Sequence, residues 1–333
     1  MKKLFVLLLA LFSFTVTALA AEIPYLDRVQ PEYRAAAENF MFLYTSDADL
    51  EAAKALQQTT AQGRETVTVP AKGGEAAVTM YVFRPQNTDS GKLPVIYYSH
   101  GGGYLFRKAM DYTARYQNLA DNTSAAVITP DYRLSTEAPF PAAINDAYNG
   151  LLYVKQNAQS LGLDGDNIVI MGDSAGGGLS ASLALYNRDN ANIPLKAQVL
   201  IYPMLDYRTG SDESPYSDEY TGHICWLRPT NVFAWEKLRG GQNISSKMLP
   251  YFSPAMADDL TNLPPALIYV GSLDLFANED IAYAGKLVED GNAVTMHVVP
   301  GLYHAFENAN PNAQATRDFW QTIYSYTKAK LAE

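Results

Sequence analysis

The sequence predicts an α/β fold, a mostly parallel sheet with helices on both faces. Three observations predict it. After Pro94, short apolar runs alternate with segments of helix length. Those runs are apolar throughout instead of alternating, as strands covered on both faces are. Only the stretch before Pro94 shows a period of two, which marks an antiparallel pair at the start of the sheet.

The amino terminus is set apart first. Met1-Lys2-Lys3 gives a short basic start, Leu4 to Val16 is almost wholly apolar, and Thr17-Ala18-Leu19-Ala20 ends in small-x-small. Residues 1–20 therefore read as a signal peptide cut near Ala20, and the apolar run is too short for a comfortable membrane span. The expected location is exported, periplasmic or secreted from a bacterial cell. Residues 21–333 remain as a single domain of about 313 residues, enough for one large core. No later run is apolar for long enough to cross a membrane.

From Pro31 to about Gln58 the chain reads as helices, with Pro31 in a first turn and Ser46 capping through Asp49. Thr66 to Val69 and Ala77 to Val82 form the antiparallel pair around Lys72-Gly73-Gly74. The later strands are 95–98, 126–128, 168–171, 199–202, 266–270 and 294–298. A last helix, about 313–331, carries Phe319, Trp320, Ile323, Tyr324 and Tyr326 on one side. Residues 206–249 break this rhythm, being rich in Asp, Ser, Gly and Tyr yet holding Trp226, Phe233 and Trp235. An insertion of that length reads as a lid, forming a cap with residues from about 22 to 62.

Composition excludes several functions. Asp and Glu number 35 against 25 Lys and Arg, and an acidic surface repels phosphate backbones, so no nucleic-acid partner is expected. Cys225 is the only cysteine, which rules out an internal disulfide. Metal and phosphate-binding motifs are missing, and neither metal nor cofactor is expected.

Chemistry is concentrated at strand ends. Gly172-Asp173-Ser174-Ala175-Gly176 follows a strand and opens a small-residue helix, the context of a nucleophile elbow. Glycines let strand and helix pass closely there, and the helix N-terminus favours developing negative charge. His100-Gly101-Gly102-Gly103-Tyr104 follows another strand, where successive glycines can turn amide N–H groups into a cavity. A serine hydroxyl needs a base, and the base needs a carboxylate to orient it. Of the four histidines, His100 reads as structural, His297 lies inside a strand as a packed residue, and His223 falls in the insertion. His304 follows the last strand, where ligands gather in such sheets. Asp274 follows the preceding strand and is preferred as the acid over Glu279 and Asp280. Trp226, Phe233 and Trp235, with Tyr104, are candidate walls of a substrate pocket or ordinary packing.

With these residues in place, the chain resembles the bacterial hormone-sensitive-lipase-like carboxylesterases from about residue 94 onward. The resemblance rests on His100-Gly101-Gly102-Gly103, Asp131-Tyr132-Arg133-Leu134, Gly172 to Gly177, Asp274 with Glu279, and Pro300-Gly301 before His304-Ala305-Phe306. It implies an eight-stranded α/β-hydrolase core with a helical cap. It also implies an acyl-enzyme mechanism on short acyl chains without metal or cofactor, and oxyanion donors on Gly101, Gly102 and Ala175. Ser135-Thr136 and Leu275 depart from the family pattern without touching the triad Ser174, Asp274, His304.

Two further readings compete with ester hydrolysis. A serine exopeptidase or amidase shares the fold, but the tandem glycines after His100 oppose it and the chain has no room for a propeller. A non-catalytic small-molecule binding protein would have lost the histidine, which is present here. The expected partner is a small-molecule ester, and a homodimer is a candidate assembly that the sequence does not decide.

Overall fold

The computed structural model describes residues 23–55, 65–71, 73–86 and 91–333. The expected signal peptide lies outside the described residues. The main sheet has eight strands: β1 (Glu65–Val69), β2 (Val78–Phe83), β3 (Leu93–Ser99), β4 (Ala126–Pro130), β5 (Leu163–Asp173), β6 (Ala197–Ile201), β7 (Ala266–Gly271) and β8 (Val294–Val299). Their order across the sheet is β8-β7-β6-β5-β3-β4-β2-β1. The pair β1–β2 and the junction β2–β4 are antiparallel, and every other neighbour pair is parallel. The mostly parallel sheet opened by an antiparallel pair is therefore as expected.

Side chains of the central strands alternate between two cores. Val95, Tyr97, Ile168 and Ile170 pack on one face with the helices α4 (Ala142–Asn157), α5 (Ala175–Asp189) and α7 (Ala277–Glu289). Ile96, Tyr98, Val169 and Met171 pack on the other with α1 (Pro31–Ala37), α3 (Thr113–Thr123) and α8 (Gln314–Leu331). Burial on both faces explains why these strands carry no polar alternation. The edge strand β8 differs: Thr295 and Val298 are exposed, and His297 is half-buried against Tyr269, with ring centroids 5.4 Å apart. His297 is a flank residue of the sheet edge instead of a core one.

The early helices are two, α1 and α2 (Asp47–Ala55), with Ser46 at the start of α2 accepting the Asp49 N–H at 3.2 Å. Residues 56–58 of the expected helical stretch fall outside the described residues. The insertion after β6 is irregular up to Ile224, then forms a two-residue parallel rung, Met41–Phe42 with Cys225–Trp226, and α6 (Arg228–Arg239). Thr230 Oγ1 donates to the Phe42 carbonyl at 2.8 Å and accepts the Tyr44 N–H at 3.0 Å, so α6 is tied to the carboxyl end of the rung. Among the described residues, no helix is long and apolar enough to cross a membrane.

Candidate active site

In parallel strands all carboxyl ends share one edge of the sheet, and the site is built there. Ser99 at the end of β3 pairs in register with Gly172 of β5, which sets the glycine run beside the serine turn. Ser174 occupies the sharp turn between β5 and α5 with φ 55° and ψ −123°. That strained backbone is tolerated because surrounding contacts fix it. A Cβ on Gly176 would collide with the carbonyl oxygens of Ser99 and His100, and one on Gly172 with the carbonyl of Gly176. The Ser174 N–H donates to Ile201 at 2.8 Å, and its carbonyl accepts from Met204 and Gly178 at 3.0 Å each.

The acid and histidine loops leave β7 and β8 and are laced together. Ser272 N–H donates to Val299 and Leu273 N–H to Leu302, both at 2.9 Å, while Ser272 Oγ accepts the Gly301 N–H at 3.0 Å. His304 Nε2 stands 2.9 Å from Ser174 Oγ, and His304 Nδ1 stands 2.8 Å from Asp274 Oδ2. With the proton on Nδ1, the imidazole donates to Asp274 and accepts the serine hydroxyl. Asp274 Oδ1 accepts the Phe276 N–H at 3.0 Å. All three side chains are buried, and Tyr202 and Phe276 pack edge-on against the imidazole at 4.7 and 5.2 Å.

The rival acids are occupied or isolated. Glu279 accepts the N–H groups of Leu205 and Asp206 and the hydroxyl of Thr209. Asp280 is fully buried with no partner on either oxygen. Burial pushes both carboxyls well above the usual carboxylate range. His100 stacks on Tyr132 at 4.3 Å, donates from Nδ1 to the Gly101 carbonyl at 2.8 Å, and is held neutral by burial. His223 is bonded to the Glu219 carbonyl in the insertion.

Ser174 and His304 open into a cavity of about 190 Å³. Its wall includes Phe40, Phe42, Gly102, Gly103, Phe106, Arg107, Tyr202, Cys225 and Trp226. Burial pushes the Cys225 thiol up, which keeps it protonated and a poor nucleophile. The expected pocket residues divide. Trp226 lines the cavity and donates from Nε1 to Asn231 at 3.0 Å. Tyr104 and Trp235 do not line it: they are core residues near each other, with Trp235 also against Phe252. Phe233 faces outward beneath Lys237, away from the serine.

The glycine turn borders the same cavity. Gly102 lines the cavity and Gly103 joins it, whereas Gly101 is packed against Asp173, whose backbone oxygen would lie 2.9 Å from a Cβ there. Gly101 is thereby fixed against the residue before Ser174. Ala175 is the first residue of α5, where an N–H has no partner within the helix.

Behind the serine, Arg115 on α3 is almost fully buried between Asp173 (3.3 Å) and Glu307 (2.8 Å). Tyr98 donates to Asp173 at 2.8 Å and Tyr202 to Glu307 at 2.7 Å. One cation thus ties the residue before Ser174 to the loop that carries His304. Among the described residues, no group of three or more His, Cys, Asp or Glu is arranged to hold a metal ion.

Comparison with known proteins gives the family. Residues 96–308 match the family described as alpha/beta hydrolase fold. The chain is 32% identical over 213 residues to the arylesterase of Saccharolobus solfataricus, covering 64% of this chain and 68% of that protein. It is 31% identical over 229 residues to the ethyl acetate hydrolase of Pseudomonas putida, covering 68% of this chain and 70% of the relative. A bacterial heroin esterase superposes with a TM-score of 0.81 at 28% identity, over 92% of this chain and 99% of that one. The chain belongs to the α/β-hydrolase fold family, among its hormone-sensitive-lipase-like carboxylesterases.

Proposed function

We propose that the protein hydrolyses short-chain carboxylic esters through an acyl-enzyme on Ser174. The observation that carries this reading is the line of contacts from Ser174 Oγ to His304 Nε2 (2.9 Å) and from His304 Nδ1 to Asp274 (2.8 Å) at the floor of one cavity. Ser174 Oγ attacks the ester carbonyl as its proton passes to His304 Nε2. The new C–O⁻ is held by the amides of Gly101, Gly102 and Ala175, each such donor being worth about 10²–10³ in rate. Asp274 fixes the imidazole tautomer and stabilises the imidazolium. Collapse breaks the bond to the alcohol, which leaves with the proton from His304. Water then repeats the attack on the acyl-serine and releases the acid. The small cavity supports a short acyl chain, since sites for drug-sized ligands run to about 300–1,000 Å³.

Two further parts of the reading concern the chain around the site. Segments from about 22–62 and 206–249 act as a cap, supported by the rung between them and by Phe40, Phe42, Cys225 and Trp226 in the wall. Export with cleavage near Ala20 is supported by Lys2-Lys3, the apolar run and the small residues after it. Amino-terminal sequencing of the mature protein tests this.

The decisive experiment is Ser174→Ala assayed on p-nitrophenyl acetate and butyrate. Turnover is expected to fall by about 10⁴–10⁶ with an unchanged melting profile. Undiminished hydrolysis by a folded variant rejects the assignment.

A further inference from the structure

Arg107 is the group in the cavity wall that ester hydrolysis leaves without a task. It is half-buried and shares the chamber with Ser174 and His304. Among the described residues its guanidinium forms no ion pair and donates no hydrogen bond. It is held only by rings, 6.0 Å from the centroid of Phe106 and 5.9 Å from that of Tyr112. Five N–H donors in a planar fork therefore have no protein partner among the described residues. The backbone of Arg107 sits at φ 74°, in the left-handed region that an L-residue with a long side chain rarely adopts. That conformation lays the side chain on the glycine turn: a Cβ on Gly102 would stand 3.1 Å from both Cβ and Cγ of Arg107.

The anions nearby do not neutralise it. Asp173 is taken by Arg115 and by the Tyr98 hydroxyl. Asp111 also lines the cavity, and its Oδ2 accepts the Lys108 N–H at 3.0 Å, but no ion pair joins it to Arg107. A half-buried guanidinium without a protein partner, in the wall of a reaction chamber, matches a carboxylate, which it can grip through two parallel hydrogen bonds. The net charge of −10 opposes anions at long range, yet salt screens that field beyond about 8 Å in physiological solution.

We infer that Arg107 determines specificity by receiving a carboxylate carried on the substrate, so that the preferred substrates are short esters bearing a free carboxylate. This rests on the esterase reading above. The two sources of that carboxylate, the acyl chain and the alcohol, are separated by the probes. Monoethyl succinate carries it on the acyl side and O-butyrylglycolate on the alcohol side, with ethyl butyrate as the neutral reference.

The measurement is the ratio of kcat/KM for each charged ester to that for ethyl butyrate. Arg107→Gln should lower the ratio for one charged ester by about tenfold to a hundredfold, as loss of a charge-assisted hydrogen bond does. Arg107→Lys should fall between, and Asp111→Asn should raise the ratio by removing the competing anion. Added salt should lower the wild-type ratio and leave that of Arg107→Gln flat. Ratios within threefold of wild type for both charged esters in Arg107→Gln overturn the inference while leaving the esterase reading intact. A wild-type protein that hydrolyses none of the three esters, or turnover that survives Ser174→Ala, overturns the esterase reading and this inference with it.

Discussion

The serine turn and the chamber above it are adjacent and built on different principles. At the turn, backbone meets backbone: Gly172 and Gly176 leave no space for one added carbon, and the serine is pinned by bonds to Ile201, Met204 and Gly178. In the chamber, side chains from three distant stretches meet, Phe40 and Phe42, Phe106 and Arg107, and Cys225 and Trp226. The first arrangement tolerates almost no change of sequence. The second can be altered one side chain at a time. A fixed reaction centre under a replaceable wall is how one fold takes on many substrates.

That contrast can be broken at either end. Gly176→Ala should show the largest effect, a loss of at least ~3 kcal/mol in urea unfolding together with loss of activity, because the obstructing atoms are main chain. A native-like midpoint would mean that the turn has slack. A smaller effect is expected at the wall. Trp226→Ala should raise kcat/KM on longer acyl chains about tenfold relative to acetate, whereas Phe233→Ala should shift that preference less than about twofold. Equal shifts in the two variants would place Phe233 in the chamber after all. The smallest effect concerns Asp280, on the far flank of the acid loop. Its raised pKa means that the folded protein holds the proton more tightly than the unfolded chain does. The stabilisation is therefore present at low pH and lost as pH rises above the unfolded value of about 4. Asp280→Asn should match wild type in Tm near pH 3 and gain on it progressively toward neutrality; a constant difference across pH would refute this.

What sequence reveals follows the same division. Strands β3 to β7 are legible because two-sided burial leaves near-uninterrupted apolar runs, β1 and β2 because they alternate, and the triad because each member follows a strand of the parallel set. The amide donors are less so: three consecutive glycines carry no side chain to say which faces inward. Phe233 and Trp235 show another limit. Two residues apart on α6, they point to opposite sides, so Trp235 meets Phe252 while Phe233 meets Lys237. Phe42 and Arg107 give no signal at all, since nothing local ties residue 42 to residue 225 or leaves residue 107 at φ 74°.

The buried cation on α3 has a consequence for how the enzyme fails. Removing one partner from a buried ion pair costs about 3–5 kcal/mol, because the survivor is stranded without water. Arg115 holds both Asp173 and Glu307, so fraying of α3 would take the counter-charge from two buried carboxylates at once and loosen the histidine loop from its neighbour. Heat damage to a helix that supplies no reacting atom would then be read out first as silence at the serine, with most of the sheet still intact.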